Sequence, residues 1–235
     1  MRTAAILPVK RFDRAKSRLG ASVADTLRGQ LARAMVADVL RALARTTSIE
    51  RTIVVTCEPS LAQTARQHAA LLVPDGDEPG QSAAVTLGVH RALAEGIERV
   101  LCIPGDCPAL DPQELDALLA AERAGDGAGA EGPAQVVIVP DRHGTGTNGL
   151  LLTPPDAIAP SFGPGSCERH RALALAAGMS CRVERLPSLL LDVDTGADLA
   201  ALRERLSDGD APAVRTRAVL SQDERPNILS IINSD

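Results

Sequence analysis

The sequence predicts one α/β domain with a mostly parallel central sheet and helices on both faces. Three observations point there. Short apolar runs alternate with segments of helical periodicity along most of the chain, at spacings that suit β-α-β crossovers. The 235 residues lie within the size that a single core can serve. That core has to be aliphatic, because 45% of the residues are hydrophobic while Phe12 and Phe162 are the only aromatics.

Thr3–Val9 has strand character and leads into a charged loop, Lys10–Gly20. Ser22 reads as a helix N-cap with Asp25 three residues on, and Leu27, Leu31, Met35, Val39 and Leu43 recur every four residues, as one face of a long helix requires. Arg51–Thr56 is the next strand, Pro59–Ala70 a helix, and Leu71–Val73 a short strand entering the acidic turn Pro74–Gly80. Gln81–Ala94 reads as a third helix, and Arg99–Pro104 as a buried strand that stops at Gly105-Asp106. Asp111-Pro112-Gln113-Glu114 carries a cap, a first-turn proline and an acidic first turn, the signals of a helix start. Ala124–Pro133 is a Gly-rich loop. Gln135–Pro140 and Leu150–Thr153 are strands on either side of Asp141–Gly149. Glu168–Ala177 is helical, Cys181–Glu184 and Leu189–Val193 are short strands, and Thr195 caps a helix that turns Leu199, Leu202 and Leu206 inward.

After Ser207 the pattern dissolves, so the domain is expected over residues 1–206 and a disordered or peripheral tail over residues 207–235. The apolar stretch Ile228–Ile232 suits docking on a second copy of the chain, which leaves a homodimer open.

Composition removes several function classes. A net charge of −5 gives no footprint for duplex nucleic acid, and two aromatics cannot build a stacking platform for single strands. No apolar run approaches the roughly 20 residues of a membrane span, and the chain enters a strand where a signal peptide would stand, so a cytoplasmic location is expected. The five cysteines are odd in number and contain no C-x-x-C pair, which favours reduced, mostly buried thiols over a disulfide framework or zinc site. His170, between Arg169 and Arg171, reads as a surface helix position.

In open α/β sheets, ligands lie beyond the carboxyl ends of the strands, so the residues after each strand carry the chemical interest. Asp106 follows one strand, and Asp192 and Asp194 bracket Val193 at another. Few protein carboxylates at separate strand ends, completed by phosphate and water, are what Mg²⁺ takes. The plain alternative is that these acids only cap helices. Asp141–Asn148 offers glycine-freed amides and two hydroxyls, the makings of an anion nest. Ser166 precedes a helix and can hold an anion at its N-terminus. Lys10 and Lys16 are the only lysines against 23 arginines, and both lie in the first loop. They suit a polyphosphate whose charge redistributes as a leaving group departs, with Arg18 adding a fork; the alternative is a solvated basic loop.

In order, P-V-K-x-x-x-x-A-K-S-R-L, P-G-D-C-P-A-L, D-R-H-G-T-G-T-N, F-G-P-G-S-C-E-R-H and L-D-V-D-T-G-A-D-L resemble the guanylyltransferases of coenzyme F-420 biosynthesis. The resemblance spans roughly residues 3–206. It implies a single-domain Rossmann-like nucleotidyltransferase (GT-A-like) fold that joins GTP to phosphoenolpyruvate or 2-phospho-L-lactate and releases pyrophosphate, with Mg²⁺ required. The Arg/Ala-rich composition and the G-T-G-T and F-G-P-G-S forms look like the actinobacterial branch, which favours phosphoenolpyruvate. By motif, Pro8, Lys10, Lys16 and Arg18 would bind the nucleotide, with Lys16 and Asp106 as catalytic groups. Asp106 with Asp192 or Asp194 would hold Mg²⁺, and Thr147, Gly163 and Ser166 would bind the acceptor. Ser82, in P-G-Q-S, stands where relatives carry a Gly-Leu-Asn-like segment near the base. The product would pass to a downstream transferase. Another phospho-three-carbon acid is a further acceptor. The competing readings are a metal-dependent nucleotide-sugar glycosyltransferase, from the D-x-D match at Asp192–Asp194, and a nucleotide-sensing or assembly module.

Overall fold

The computed structural model describes residues 1–13, 19, 25–76, 80–124, 135–207 and 212–223. In chain order the elements are β1 (Thr3–Pro8), α1 (Asp25–Arg45), β2 (Arg51–Val55), α2 (Leu61–Gln67), β3 (Leu71–Val73), α3 (Gln81–Ala94), β4 (Arg99–Cys102), α4 (Pro112–Ala124), β5 (Val136–Pro140), β6 (Thr147–Leu152), α5 (Ser166–Ala176), β7 (Cys181–Val183), α6 (Gly196–Ser207) and α7 (Val214–Asp223). Ser22, Lys16, Arg18, most of the Gly-rich loop and the Ile228–Ile232 stretch lie outside the described residues.

The strands form one sheet in the order β3-β2-β1-β4-β6-β5-β7. β1 pairs in parallel with β2 and β4, β2 with β3, and β5 with β7. β6 is antiparallel to both β4 and β5, so one strand runs against the rest and the sheet is mostly parallel, as expected.

Alternation along the strands covers both faces. Ala5 and Leu7 of β1, Val54 of β2, Leu101 of β4 and Val137 of β5 pack with Val36, Val39 and Leu43 of α1 and Leu115 and Leu119 of α4. Their neighbours Ala4, Ile6, Ile53, Val100, Cys102 and Ile138 pack with Val85, Val89 and Ala92 of α3 and Ala174 of α5. Successive strand side chains point to opposite faces, so the unbroken apolar runs follow from burial on both sides. Arg99, at the head of β4, is also fully buried; its Nε donates to Thr3 Oγ1 at 3.1 Å and its guanidinium to Leu119 O at 3.1 Å.

Three elements differ from the sequence pattern. β6 begins at Thr147, not Leu150. Gly149 reads as a turn residue, but a Cβ there would lie 2.9 Å from Val139 Cβ, so the glycine permits close strand approach where the β5–β6 register shifts. Leu189–Val193, expected as a strand, belongs to none of the strands among the described residues. It turns at Leu189, whose N–H bonds Leu186 O at 2.9 Å, and is pinned where Val193 N–H meets Asp106 O at 3.1 Å. Beyond Ser207, where no element was legible, α7 packs on α1. Asp38 of α1 accepts from Arg215 N at 3.1 Å and Thr216 N at 2.8 Å, capping α7 from its neighbour. Leu220 and Ala213 join Leu31, Met35, Leu199 and Leu202 in a third cluster.

Two glycines give opposite expectations. A Cβ at Gly88 in α3 would lie 2.5 Å from Ile6 Cγ2 in the core, so Gly88→Ala should destabilise by about 1–3 kcal/mol through overpacking. Gly29 in α1 has nothing within 4 Å, and Gly29→Ala should stabilise by about 0.5–1 kcal/mol. Urea midpoints of the two variants check both signs, and equal shifts in one direction contradict the packing described.

Candidate functional site

Because β6 runs against the other strands, its first residues lie at the edge where β1, β4 and β5 end. Thr147 and Asn148 therefore meet the loops after those strands.

The first loop begins at Pro8, half-buried, and Lys10, exposed. Phe12 is buried, with the Arg33 guanidinium 5.1 Å from its ring centre. Its N–H donates to Glu58 Oε2 at 3.0 Å. Burial pushes the Glu58 carboxyl up, but hydrogen bonds from Ser60 and Phe12 outweigh it and hold the group below its ordinary value. Glu58, which the sequence motifs did not single out, thus anchors the start of the lysine loop.

Asp106 follows β4 and is half-buried, as are Asp192 and Asp194. Asn148 ties this group to β6: its amide donates to Leu189 O at 2.8 Å and Asp192 Oδ1 at 3.1 Å. Burial, then repulsion from Asp106 and Asp194, raise the Asp192 carboxyl above its ordinary value, opposed by the Asn148 amide. Among the described residues no group of three or more His, Cys, Asp or Glu gathers into a metal-binding cluster. The donor chemistry nevertheless fits a divalent cation: two hard, electrostatically coupled carboxylates, Asp106 and Asp192, would need phosphate and water oxygens to complete the shell, which is the habit of Mg²⁺.

Asp194 is held through its backbone. Asp198 accepts from Asp194 N at 3.2 Å, from Thr195 N and Thr195 Oγ1 each at 2.7 Å, and pairs with Arg142 at 2.5 Å. Thr195 Oγ1 in turn accepts from Asp198 N at 3.3 Å. This is a reciprocal capping box at the start of α6, and the T-x-x-D spacing is its signal, which adds Asp198 to the Thr195 cap expected from sequence. Burial opposes ionisation of Asp198, while Thr195 and Arg142 lower its carboxyl overall.

The Asp141–Thr147 loop differs from the open nest expected. Asp141 occupies it: Thr145 N–H donates to Asp141 Oδ1 and Gly144 N–H to Asp141 O, each at 3.0 Å. The loop is closed by its own carboxylate, and Arg142 turns to Asp198.

The loop Ser161–Gly165 is tied to β6 through His170, which contacts both Ser161 and Thr147. Gly163 and Gly165 have φ of +110° and +71°, backbone that L side chains avoid. Phe162 N–H donates to Ser82 Oγ at 2.9 Å, so Ser82 at the start of α3 bonds this loop. Arg169 wraps it, donating to Ser161 Oγ at 3.1 Å, Ser161 O at 3.0 Å, Phe162 O at 3.2 Å and Pro164 O. Ser166 is buried. Two amides at the start of α5 are already used, Ser166 N to Gly163 O at 3.0 Å and Cys167 N to Thr145 O at 3.1 Å.

His170 is fully buried, not on the surface as its arginine neighbours suggested. It shares the inward stripe of α5 with Cys167 and Ala174. Its Nδ1 lies 3.0 Å from Thr147 Oγ1, its Nε2 accepts from Ser161 N at 2.9 Å, and the Phe162 ring packs edge-on at 5.1 Å. Burial, with Arg169 beside it, pushes its pKa down to about 4. The structure thus brings Thr147, Gly163 and Ser166 into one wall, with Asn148 linking that wall to Asp192.

A family model described as "Guanylyl transferase CofC like" matches residues 3–211. A phosphoenolpyruvate guanylyltransferase of Conexibacter woesei is 49% identical over 227 residues, covering 97% of this chain and 99% of the relative. One of Sphaerobacter thermophilus is 38% identical over 205 residues, covering 86% and 93%. A cytidylyltransferase from Leptospira borgpetersenii superposes with a TM-score of 0.61 over 100% of this chain and 98% of its own, at 14% identity, a likeness of fold alone. The match over nearly the whole described domain, on an α/β sheet whose carboxyl edge carries the motifs, means that the chain belongs to the CofC-like guanylyl transferase family.

Proposed function

We propose that the chain transfers the guanylyl group of GTP to phosphoenolpyruvate in coenzyme F-420 biosynthesis. The observation that carries this is the near full-length similarity to phosphoenolpyruvate guanylyltransferases, set on a site with acids on one side and an acceptor-type loop on the other. An acceptor phosphate oxygen attacks the α-phosphorus in line. A P–O bond forms there, the bond from the α-phosphorus to the bridging oxygen breaks, and its electron pair leaves with pyrophosphate. The acceptor phosphate is ionised at neutral pH, so the reaction needs no general base. The lack of a Ser-His or Cys-His pair among the described site residues is therefore no obstacle.

Asp106 and Asp192 are the residues suited to hold Mg²⁺, with Asp194 beside them. When bound, the ion supplies charge neutralisation on the nucleotide phosphates. Lys10, Lys16 and Arg18 of the first loop, with Pro8 at the end of β1, serve the polyphosphate, and Ser82 borders the nucleotide side. Thr147, Gly163 and Ser166 orient the acceptor, which makes positioning and electrostatics the main sources of rate. The reactive diphosphate product suits direct use by a downstream transferase in the cytoplasm. The glycosyltransferase reading rests on the three-residue D-x-D match alone, and the near full-length similarity to phosphoenolpyruvate guanylyltransferases favours nucleotidyl transfer over it.

Incubation with GTP and Mg²⁺ should release pyrophosphate with phosphoenolpyruvate faster than with 2-phospho-L-lactate; no release with any phospho-three-carbon acid rejects the proposal. Asp192→Asn keeps an oxygen for the Asn148 amide and removes a charge facing Asp106. Its melting temperature should equal or exceed that of the wild type while kcat falls on the order of 10²-fold; unchanged kcat removes Asp192 from the site. Lys16→Arg should lower kcat/KM for GTP although the charge is kept, because the planar fork cannot replace a compact ammonium; an unchanged value returns that loop to the solvated reading.

A further inference from the structure

We propose that His170 is a positioning residue that fixes the Thr147 hydroxyl as a donor to an anionic oxygen of the acceptor. The inference rests on the acceptor site proposed above and deepens it.

The Ser161 backbone N–H can only donate, and it lies 2.9 Å from His170 Nε2, so Nε2 carries a lone pair. A neutral ring with an accepting Nε2 has its proton on Nδ1. Nδ1 lies 3.0 Å from Thr147 Oγ1, so the ring donates and the hydroxyl oxygen accepts. A threonine hydroxyl has one hydrogen. With its oxygen engaged by His170, that hydrogen is left for an acceptor at the carboxyl edge of the sheet, where Asn148 holds Asp192. Were the tautomer reversed, Thr147 would give its hydrogen to the ring and have none for a ligand.

Full burial keeps the ring out of water. The lowered pKa keeps it neutral where the enzyme works, and protonation at Nε2 would break the Ser161 bond. The same ring joins two parts of the acceptor wall that come from different elements. Thr147 begins β6, and Ser161 precedes Phe162-Gly163, itself tied to Ser82 on α3. One imidazole thereby fixes the spacing of strand and loop as well as the direction of a hydroxyl. Its role is felt by the acceptor and not by GTP.

The test is a double-mutant cycle at saturating GTP, with folding checked by circular dichroism. Thr147→Val should lower kcat/KM for phosphoenolpyruvate about tenfold or more, the worth of one hydrogen bond to a charged group. His170→Phe should do similar damage, and the double variant should be no worse than Thr147→Val alone, with KM for GTP unmoved throughout. Losses that multiply overturn the proposal. His170→Asn, whose amide can donate from near the Nδ1 position, should recover most of the acceptor kcat/KM relative to His170→Phe; a folded Asn variant as poor as Phe also overturns it. Independently of turnover, ¹⁵N-histidine spectra at neutral pH should show one buried ring as the neutral Nδ1–H tautomer, lost in His170→Asn. An Nε2–H or charged ring rejects the assignment. Should no phospho-three-carbon acid be guanylylated, the functional reading falls, while the spectra still decide the hydrogen-bond direction.

Discussion

The site exists because one strand runs backwards. In a wholly parallel sheet the start of β6 would lie at the edge opposite the functional loops, and Thr147 and Asn148 would be of no use there. Reversal through the tight Asp141–Thr147 loop brings both to the carboxyl edge. From that position Asn148 reaches Asp192 and Leu189, and Thr147 reaches His170. Each side of the site is thus hung from adjacent residues of a buried strand, and a displacement of one side moves the other.

That arrangement concentrates negative charge. Asp106 and Asp194 both repel the Asp192 carboxylate, and the Asn148 amide and the backbone hydrogen bond at Asp192 oppose that repulsion. Two described arginines of the neighbouring loops are engaged with other groups: Arg142 pairs with Asp198, and Arg169 binds loop carbonyls. Repulsion of Asp192 by Asp106 and Asp194 costs the fold some stability, the usual relation between a preorganised polar site and stability.

Much of this was legible in the sequence. Strands covered on both faces read as apolar runs and helices as fourfold spacing, and the ordered motifs picked out Asp106, Asp192, Thr147, Gly163 and Ser166 as the candidates from which the proposed site is built. What failed had physical causes. G-T-G-T-N-G has turn composition, yet Thr147 to Gly149 are strand, since the close approach to Val139 demands glycine there. Leu-Leu-Leu-Asp-Val looks like a strand because Leu189, Leu191 and Val193 are buried, but they are buried beneath loops and helices instead of pairing. Flanking arginines disguised His170, whose burial is visible only as an inward position between Cys167 and Ala174. α7 has little periodicity of its own and takes its cap from Asp38, 178 positions from Thr216, which no local pattern reveals.

Asn148-Gly149 has a bearing on how the protein ages. Asparagine followed by glycine is the pairing most prone to deamidation, because a small flexible neighbour lets the next backbone nitrogen attack the side-chain carbonyl. In β6 Gly149 and Thr147 are paired with Val139 and Pro140 of β5, and the Asn148 amide is held by Leu189 O and Asp192. The folded chain therefore shelters a bond that the unfolded chain leaves open to attack. Conversion to aspartate would set a fourth carboxylate against Asp192 in place of an amide that steadies it. Each excursion from the native state thus risks a permanent chemical scar at the centre of the site, and the rigidity of β6 serves to preserve the molecule as well as to shape it.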